Sequence, residues 1–425
     1  MSDTPLHPAP VCHVVGGGVA GLAAAVDLAA RGVSVHLYES SSRLGGRCRS
    51  FPDPRFGSVI DNGSHLAFSA NVRLLDFLRR IGAPVTSLAV AAEGIPFLDI
   101  AGGVRWTLVP RGETAAWLLG RGARIPGAPR WHWLFDGLAL LRARDGETVS
   151  QLLRTDTMAW RRLWHPFCRA VFNAEPAEVP ARRAGELLRR LVFSDKGCLP
   201  LLALRPWGEI VAEPALAHLQ YLGVNVGTSM PLLALERKGE AVRRLIFRTG
   251  TIDTEGDAVV FALPGRMARR LCPDFIPELA FNPIIALHFD VGRDLGCGFI
   301  GVVGGLAEWI FRRGPIVSVT VGCATPYLGD PHEDLALAVW GDVLAALPEA
   351  RLPDDPPPFR LIIEKGATLA ADAATWAARP GTATPLANLF LAGDWTATGL
   401  PSTLEGAVIS GESAASAVRN FLESQ

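Results

Sequence analysis

Apolar positions follow two rhythms along this chain, and the switches between them mark its elements. An unbroken apolar run at 11–15 meets three glycines, then an Ala-rich stretch at 22–31, then a second run at 33–38 closed by Glu39. Short continuous runs predict buried strands and the stretch between them a helix, so the opening reads strand, turn, helix, strand, acid. Helical spacing returns at 72–81, ended by Gly82, and again at 149–171 and 181–193. Strand alternation fills 95–109 around an Ala101-Gly102-Gly103 turn. Beyond Trp207 come a helix at 208–222, a strand at 224–226, a small antiparallel meander at 232–236, 242–248 and 251–253, and a buried strand from Asp257 stopped by Pro264. The segments 284–291, 299–303, 308–311, 315–321 and 358–364 alternate at strand period around a helix at 333–347, which predicts an antiparallel sheet carrying one helix. A last short strand, 388–395, leads through a Gly399-Leu400-Pro401 turn into a helix beginning at Ser402.

The opening glycines carry chemistry as well as shape. Gly16, Gly18 and Gly21 have the GxGxxG spacing: one for the tight turn, one for close approach of backbone to a pyrophosphate, one for seating the helix on the strand. The helix start offers unpaired N–H groups to phosphate, and Glu39, at the tip of the second strand, can accept from both ribose hydroxyls of an adenosine. A second doublet follows, Arg43-Leu44-Gly45-Gly46-Arg47. A nicotinamide cofactor has no evident use for it, whereas a flavin dinucleotide extends past the first helix and needs both bare backbone and a guanidinium. At the far end, Gly393-Asp394 closes a core strand where the acid can meet a ribityl hydroxyl, and the helix start near Gly406 and Ala407 can stabilise charge on the flavin ring. The adenine is expected against main chain near Met230. Ser402 and Glu405 have the spacing of a capping box.

The expected fold is therefore α/β, a Rossmann-like FAD-binding domain formed by 1–75, 205–265 and 380–425, with a discontinuous α+β substrate domain formed by 76–204 and 266–379. Asp61-Asn62-Gly63-Ser64-His65 is a turn expected beneath the flavin ring, and His65 is either an ordinary turn residue or a proton donor.

Composition narrows the partners. The chain has 425 residues and a net charge of −1, with pI near 6.8, which gives no electrostatic reason to expect nucleic acid. Mean hydropathy is +0.24, yet no apolar run reaches the roughly 18 residues that span a bilayer. Residues 1–10 read as a short tail without the layout of a signal peptide. Seven cysteines without a CxxC pair point to a reducing, cytoplasmic setting. No histidine, His132 and His165 included, has a ligand partner at i+4, so no metal site is read. The stretch 111–144 sets Trp117, Trp131, Trp133 and Phe135 among six arginines. That mixture suits either an interfacial helix touching lipid or a helix packed on its own domain. The pattern names no oligomeric state.

With these residues in hand the chain resembles the flavin-containing amine oxidase and phytoene desaturase superfamily, on Gly16 to Gly21, Glu39, Arg43 to Arg47 and Ala392-Gly393-Asp394. Within it the resemblance is to the hydroxysqualene dehydroxylases, also called squalene-associated FAD-dependent desaturases. That narrower likeness is carried by Asp61-Asn62-Gly63, by Leu78-Arg79-Arg80-Ile81-Gly82-Ala83 and above all by NLFLAGDWTATGLPSTLEGAVIS at 388–410. The resemblance implies a glutathione-reductase-type FAD domain and an enzyme that removes an allylic hydroxyl from a C30 isoprenoid on the way to hopanoids. Net apolarity and the Trp/Arg stretch fit such a lipophilic substrate stored in membrane, and so an expected peripheral contact with the inner face of the cytoplasmic membrane. Two departures bear on substrate identity: Ser64 stands where the family has Gln, and Ser69-Ala70-Asn71 where it has Gly followed by an aromatic. The alternatives are a carotenoid-type desaturase, an amine oxidase, for whose aromatic clamp the chain offers only Tyr38, Tyr221 and Tyr327, and a flavin-binding partner without turnover.

Overall fold

The computed structural model describes residues 10–91, 93–109, 124–192 and 198–425. Trp117 and much of the Trp/Arg stretch, the expected N-terminal tail up to residue 9, and Phe193 lie outside them.

Five parallel strands form the first sheet, in the order Asn225–Gly227, Ser34–Tyr38, Val11–Val15, Ala258–Phe261, Leu389–Leu391. Its central strands are unbroken apolar runs because both faces are covered. On one face lies the helix Val19–Ala29, buried over nearly its whole length between the sheet and the closing helix Leu404–Glu423. That sandwich explains its alanines. The two helices approach so closely that a Cβ on Gly411 would lie 2.2 Å from the Ala20 carbonyl oxygen. The meander Leu232–Lys238, Ala241–Phe247, Gly250–Asp253 does not extend the edge of this sheet. It is instead a separate three-stranded sheet covering the second face, where Val242, Leu245 and Phe247 pack with Tyr38, Val259 and Phe261. Its alternation buries one side and leaves the other to water, so it needs a face to cover rather than an edge to extend.

The second sheet has seven strands in the order Phe359–Leu369, Phe281–Asp290, Ile316–Val321, Trp309–Arg313, Cys297–Val303, Ile95–Asp99, Val104–Leu108. It is antiparallel except where Cys297–Val303 meets Ile95–Asp99. The helix His332–Ala346 packs on it through Leu335, Val339, Trp340 and Val343. Helices Arg130–Arg142 and Ala181–Val192 pack with Phe97, Trp106 and Leu108.

The helix expected over 149–171 is broken into Val149–Leu152, a π-helical turn Trp160–Trp164, and His165–Phe172. Leu153 is extended, and Thr157 Oγ accepts from the Trp160 amide at 3.0 Å to restart the helix. The π turn carries Arg161 and Arg162, both bonded to Asp99: Arg162 donates to Oδ2 from Nε at 3.0 Å and Nη2 at 2.9 Å, and Arg161 to Oδ1 from Nη2 at 2.8 Å. A wider turn brings successive side chains to one buried carboxylate. Two small sheets went unread: the hairpin Ser50–Asp53 with Ser58–Asp61, and Ala67–Phe68, Leu88–Val90 and Pro200–Ala203. They are short and partly polar, with no period to detect.

Candidate cofactor site

The glycines of the first turn are required for different reasons. Gly16 has φ of +115°, and a Cβ there would sit 2.3 Å from the Ala262 carbonyl oxygen; at Gly21 it would sit 1.9 Å from the Gly16 oxygen. Packing of the chain on itself dictates both. Gly18 differs: the nearest heavy atom to a Cβ would be Gly46 Cα at 3.8 Å, so the protein alone has room for a side chain there. Across that gap stands the second doublet, with Gly45 N–H donating to the Gly17 oxygen at 2.8 Å and Gly46 at φ +58°. The two turns thus make one bare-walled cradle at the start of the Val19–Ala29 helix, which a Cβ would fill and a pyrophosphate fits.

Glu39 anchors the next stretch. Its Oε2 accepts from Gly17 N–H at 2.7 Å, and its Oε1 from Ser41 N–H at 2.8 Å and Ser40 Oγ at 3.0 Å. The Met230 amide donates to the Glu39 carbonyl at 2.8 Å, which places Met230 beside the acid. Arg43 is exposed on the loop and is not gathered with the others. Arg47 points inward, with Nη2 donating to Asp394 Oδ1 at 2.5 Å and Nη1 to the Ala367 oxygen at 2.6 Å. Burial opposes the charge of this guanidinium, but Asp394 and Glu364 outweigh it and hold its pKa above the ordinary arginine value. One side chain therefore joins the opening unit to the closing corner.

That corner is tightly tied. Gly393 N–H donates to Ser410 Oγ at 2.8 Å, and Trp395 Nε1 to the Leu263 oxygen at 2.9 Å. The closing helix starts at Leu404, two residues later than expected, because Thr403 is the cap: its Oγ accepts from Gly406 N–H at 3.0 Å, and its carbonyl from Ala407 N–H at 3.0 Å. The amides of Gly406 and Ala407 are thus spent inside the helix, and those of Leu404 and Glu405 open from its start. The expected capping box does not form. Ser402 Oγ accepts from Leu369 N–H at 2.9 Å, while Glu405 reaches away to accept from Arg73 N–H at 3.0 Å and Leu74 N–H at 2.8 Å, capping the helix Val72–Arg80.

His65 lies edge-on to Trp207, ring centroids 5.9 Å apart, and its carbonyl accepts from Trp207 Nε1 at 3.2 Å. Its Nε2 is sealed from solvent without a protein partner. Burial lowers its pKa from the ordinary 6.5, against an opposing pull from Asp61 and the Arg47 main chain. It lines a cavity of about 20 Å³ with Asp61, Ser64, Trp207, Arg313 and Ser318, large and polar enough for one water. Sequence reasoning missed the carboxylate at its centre. Asp61 is buried and accepts from Ser50 Oγ at 2.5 Å, Trp207 N–H at 2.8 Å and Arg313 Nη1 at 2.9 Å. His288 lies close by, its Nδ1 2.8 Å from Ser318 Oγ. Only the Asp-Asn-Gly turn hinted at this group.

Comparison with known proteins identifies the family. The family described as flavin containing amine oxidoreductase matches residues 19–419. The chain is 35% identical over 407 residues to the hydroxysqualene dehydroxylase of Sinorhizobium fredii, covering 95% of this chain and 97% of the relative. It is 36% identical over 412 residues to that of Rhodopseudomonas palustris, covering 96% and 97%. Cyclohexylamine oxidase from Brevibacterium oxydans superposes with a TM-score of 0.70 over 98% of this chain and 100% of that one at 16% identity, which shows the shared fold. Its cofactor is FAD, and the chain belongs to the flavin containing amine oxidoreductase family, within its hydroxysqualene dehydroxylase branch.

Proposed function

We propose that this chain catalyses the reductive dehydroxylation of hydroxysqualene to squalene. The observation that carries the reading is end-to-end similarity, 35% identity over 95% of the chain, to a relative named for that reaction. Residues 1–75, 205–265 and 380–425 hold the cofactor and the remainder the substrate. Reduced FAD, when bound, supplies the hydride. The chain's own residues would hold it: the glycine cradle and Glu39 at the adenosine and pyrophosphate end, and Arg47 with Asp394 along the flavin arm. His65 delivers the proton with which the allylic hydroxyl leaves as water. Burial lowers its pKa below the ordinary 6.5, so the ring is mostly neutral at pH 7 and gains its proton as pH falls. Turnover is expected to rise along that limb, and a His65→Ala enzyme with full turnover and the same pH profile removes this role.

An amine clamp finds little material. Tyr38 packs against Phe247 at 4.8 Å between ring centroids, Tyr221 is 86% exposed, and Tyr327 packs beside the core of the second sheet. A lipophilic substrate arrives from a bilayer, so the chain attaches to the membrane peripherally; among the described residues no helix is long and apolar enough to cross one. The test is anaerobic: photoreduce the bound flavin, add hydroxysqualene, and follow flavin reoxidation together with squalene by mass spectrometry. Reoxidation without squalene assigns the flavin another acceptor and ends this reading.

A further inference from the structure

The helix Arg130–Arg142 buries one face against its own domain. Trp133 and Leu140 are within the core, and the Leu140 carbonyl oxygen lies where a Cβ on Gly185 would be 1.9 Å away. At about 100° per residue, the opposite sector holds Trp131, Phe135, Leu138 and Arg142. All four are exposed, the three apolar ones to 56%, 64% and 41%. The rings of Trp131 and Phe135 meet edge-on at 6.5 Å, which makes them one ridge rather than scattered singles. Exposed Met158 packs beside Gly127, just ahead of the helix. A ridge of this kind on an otherwise folded surface marks an interaction site.

Charge decides what covers it. Exposed Arg130 and Arg142 stand at the two ends of this helix, and exposed Arg124 and Arg144 flank it in the chain. The helix's one carboxylate, Asp136, is half-buried and accepts from Trp164 Nε1 at 3.1 Å, and Asp145 beyond its end is paired with Arg182. Aromatic bodies fringed by guanidinium groups match acyl chains beneath anionic headgroups. We infer that this ridge docks the protein on an anionic bilayer surface, with Trp131, Phe135 and Leu138 below the headgroups and Arg142 and Arg144 at the phosphates. The inference rests on the proposed isoprenoid substrate, which partitions into bilayer.

The test is flotation of the FAD-loaded protein, without substrate, on vesicles of pure phosphatidylcholine or of phosphatidylcholine with phosphatidylglycerol. Binding to the anionic vesicles is expected, weakened by salt. A Trp131→Glu, Phe135→Glu double variant is expected to lose it at least about tenfold while keeping the wild-type flavin spectrum and Tm, since neither side chain joins a core. No flotation of the wild type, equal flotation on neutral vesicles, or unchanged flotation of the variant overturns the inference. A variant that floats normally but turns a dimer into a monomer in the ultracentrifuge assigns the ridge to a second copy and also overturns it. Flotation is read without hydroxysqualene, so its failure and failure of the dehydroxylation assay are separable.

Discussion

The glycine cradle and the polar cluster around Asp61 are built in opposite ways. Gly16 to Gly21 and Gly45-Gly46 lie close together in the chain and are demanded by backbone shape. Asp61 gathers Ser50, Trp207 and Arg313, the last 252 positions away, and is demanded by side-chain chemistry. A cradle is a local pattern that can be written in sequence. A cluster of this kind exists only once the chain has folded.

The sharpest test of the cradle sets two of its glycines against each other. Gly21→Ala drives a methyl group to 1.9 Å from the Gly16 oxygen, backbone against backbone. It is expected to cost more than about 4 kcal/mol and to yield little folded protein. Gly18→Ala meets nothing nearer than 3.8 Å. Its apo stability should stay within about 0.5 kcal/mol of wild type while FAD affinity, titrated by flavin fluorescence, falls at least about tenfold. Wild-type FAD affinity in Gly18→Ala would mean that the gap between the two turns is not where the pyrophosphate lies.

The same contrast explains what could be read in advance. The opening strand-helix-strand unit, Glu39, the Gly393-Asp394 corner and the strands of the second sheet were legible because each is a local period or a turn with fixed residue needs. The register of the closing helix was not. Ser402, Thr403 and Glu405 are all plausible cap residues by spacing, and tertiary contacts decided among them: Leu369 claims Ser402, and the helix at 72–80 claims Glu405. The break at 153–159 did leave a mark, the polar run Arg154-Thr155-Asp156-Thr157, but the π turn after it was not legible, since its reason, Asp99, comes from a distant hairpin.

On the cluster side, the larger effect belongs to the carboxylate. Asp61→Ala strips the partner from a half-buried arginine and leaves the Ser50 hydroxyl and Trp207 amide unsatisfied, at an expected cost of about 3–5 kcal/mol in urea unfolding. An effect below 1 kcal/mol, as for an ordinary surface ion pair, would break the contrast drawn here. His288 acts through pH. Burial pushes its pKa from 6.5 down to about 4, with Asp61 pulling the other way. The unfolded chain therefore binds a proton that the fold refuses between those values. Its contribution is complete above pH 6.5 and is lost as pH falls through about 4, roughly 3 kcal/mol in all. His288→Gln should flatten that acid slope, and an unchanged slope would locate the sensitivity elsewhere.

The smallest effect concerns Glu405, which belongs to both kinds of construction: it sits in the local motif of the closing helix but spends its oxygens on Arg73 and Leu74. Glu405→Ala uncaps the helix at 72–80 and should cost about 1–2 kcal/mol, with Glu405→Gln keeping one good acceptor and recovering roughly half. Burial raises the Glu405 pKa above the ordinary 4.5, against the pull of the two amides. A raised value means that the fold prefers the protonated acid, so the wild type is favoured in acid and loses ground as pH rises through the folded pKa. The Gln variant should then gain on the wild type in Tm from acid to neutral pH. The opposite trend would mean that the two amides outweigh burial, and that this carboxylate is held as an anion by the helix it caps.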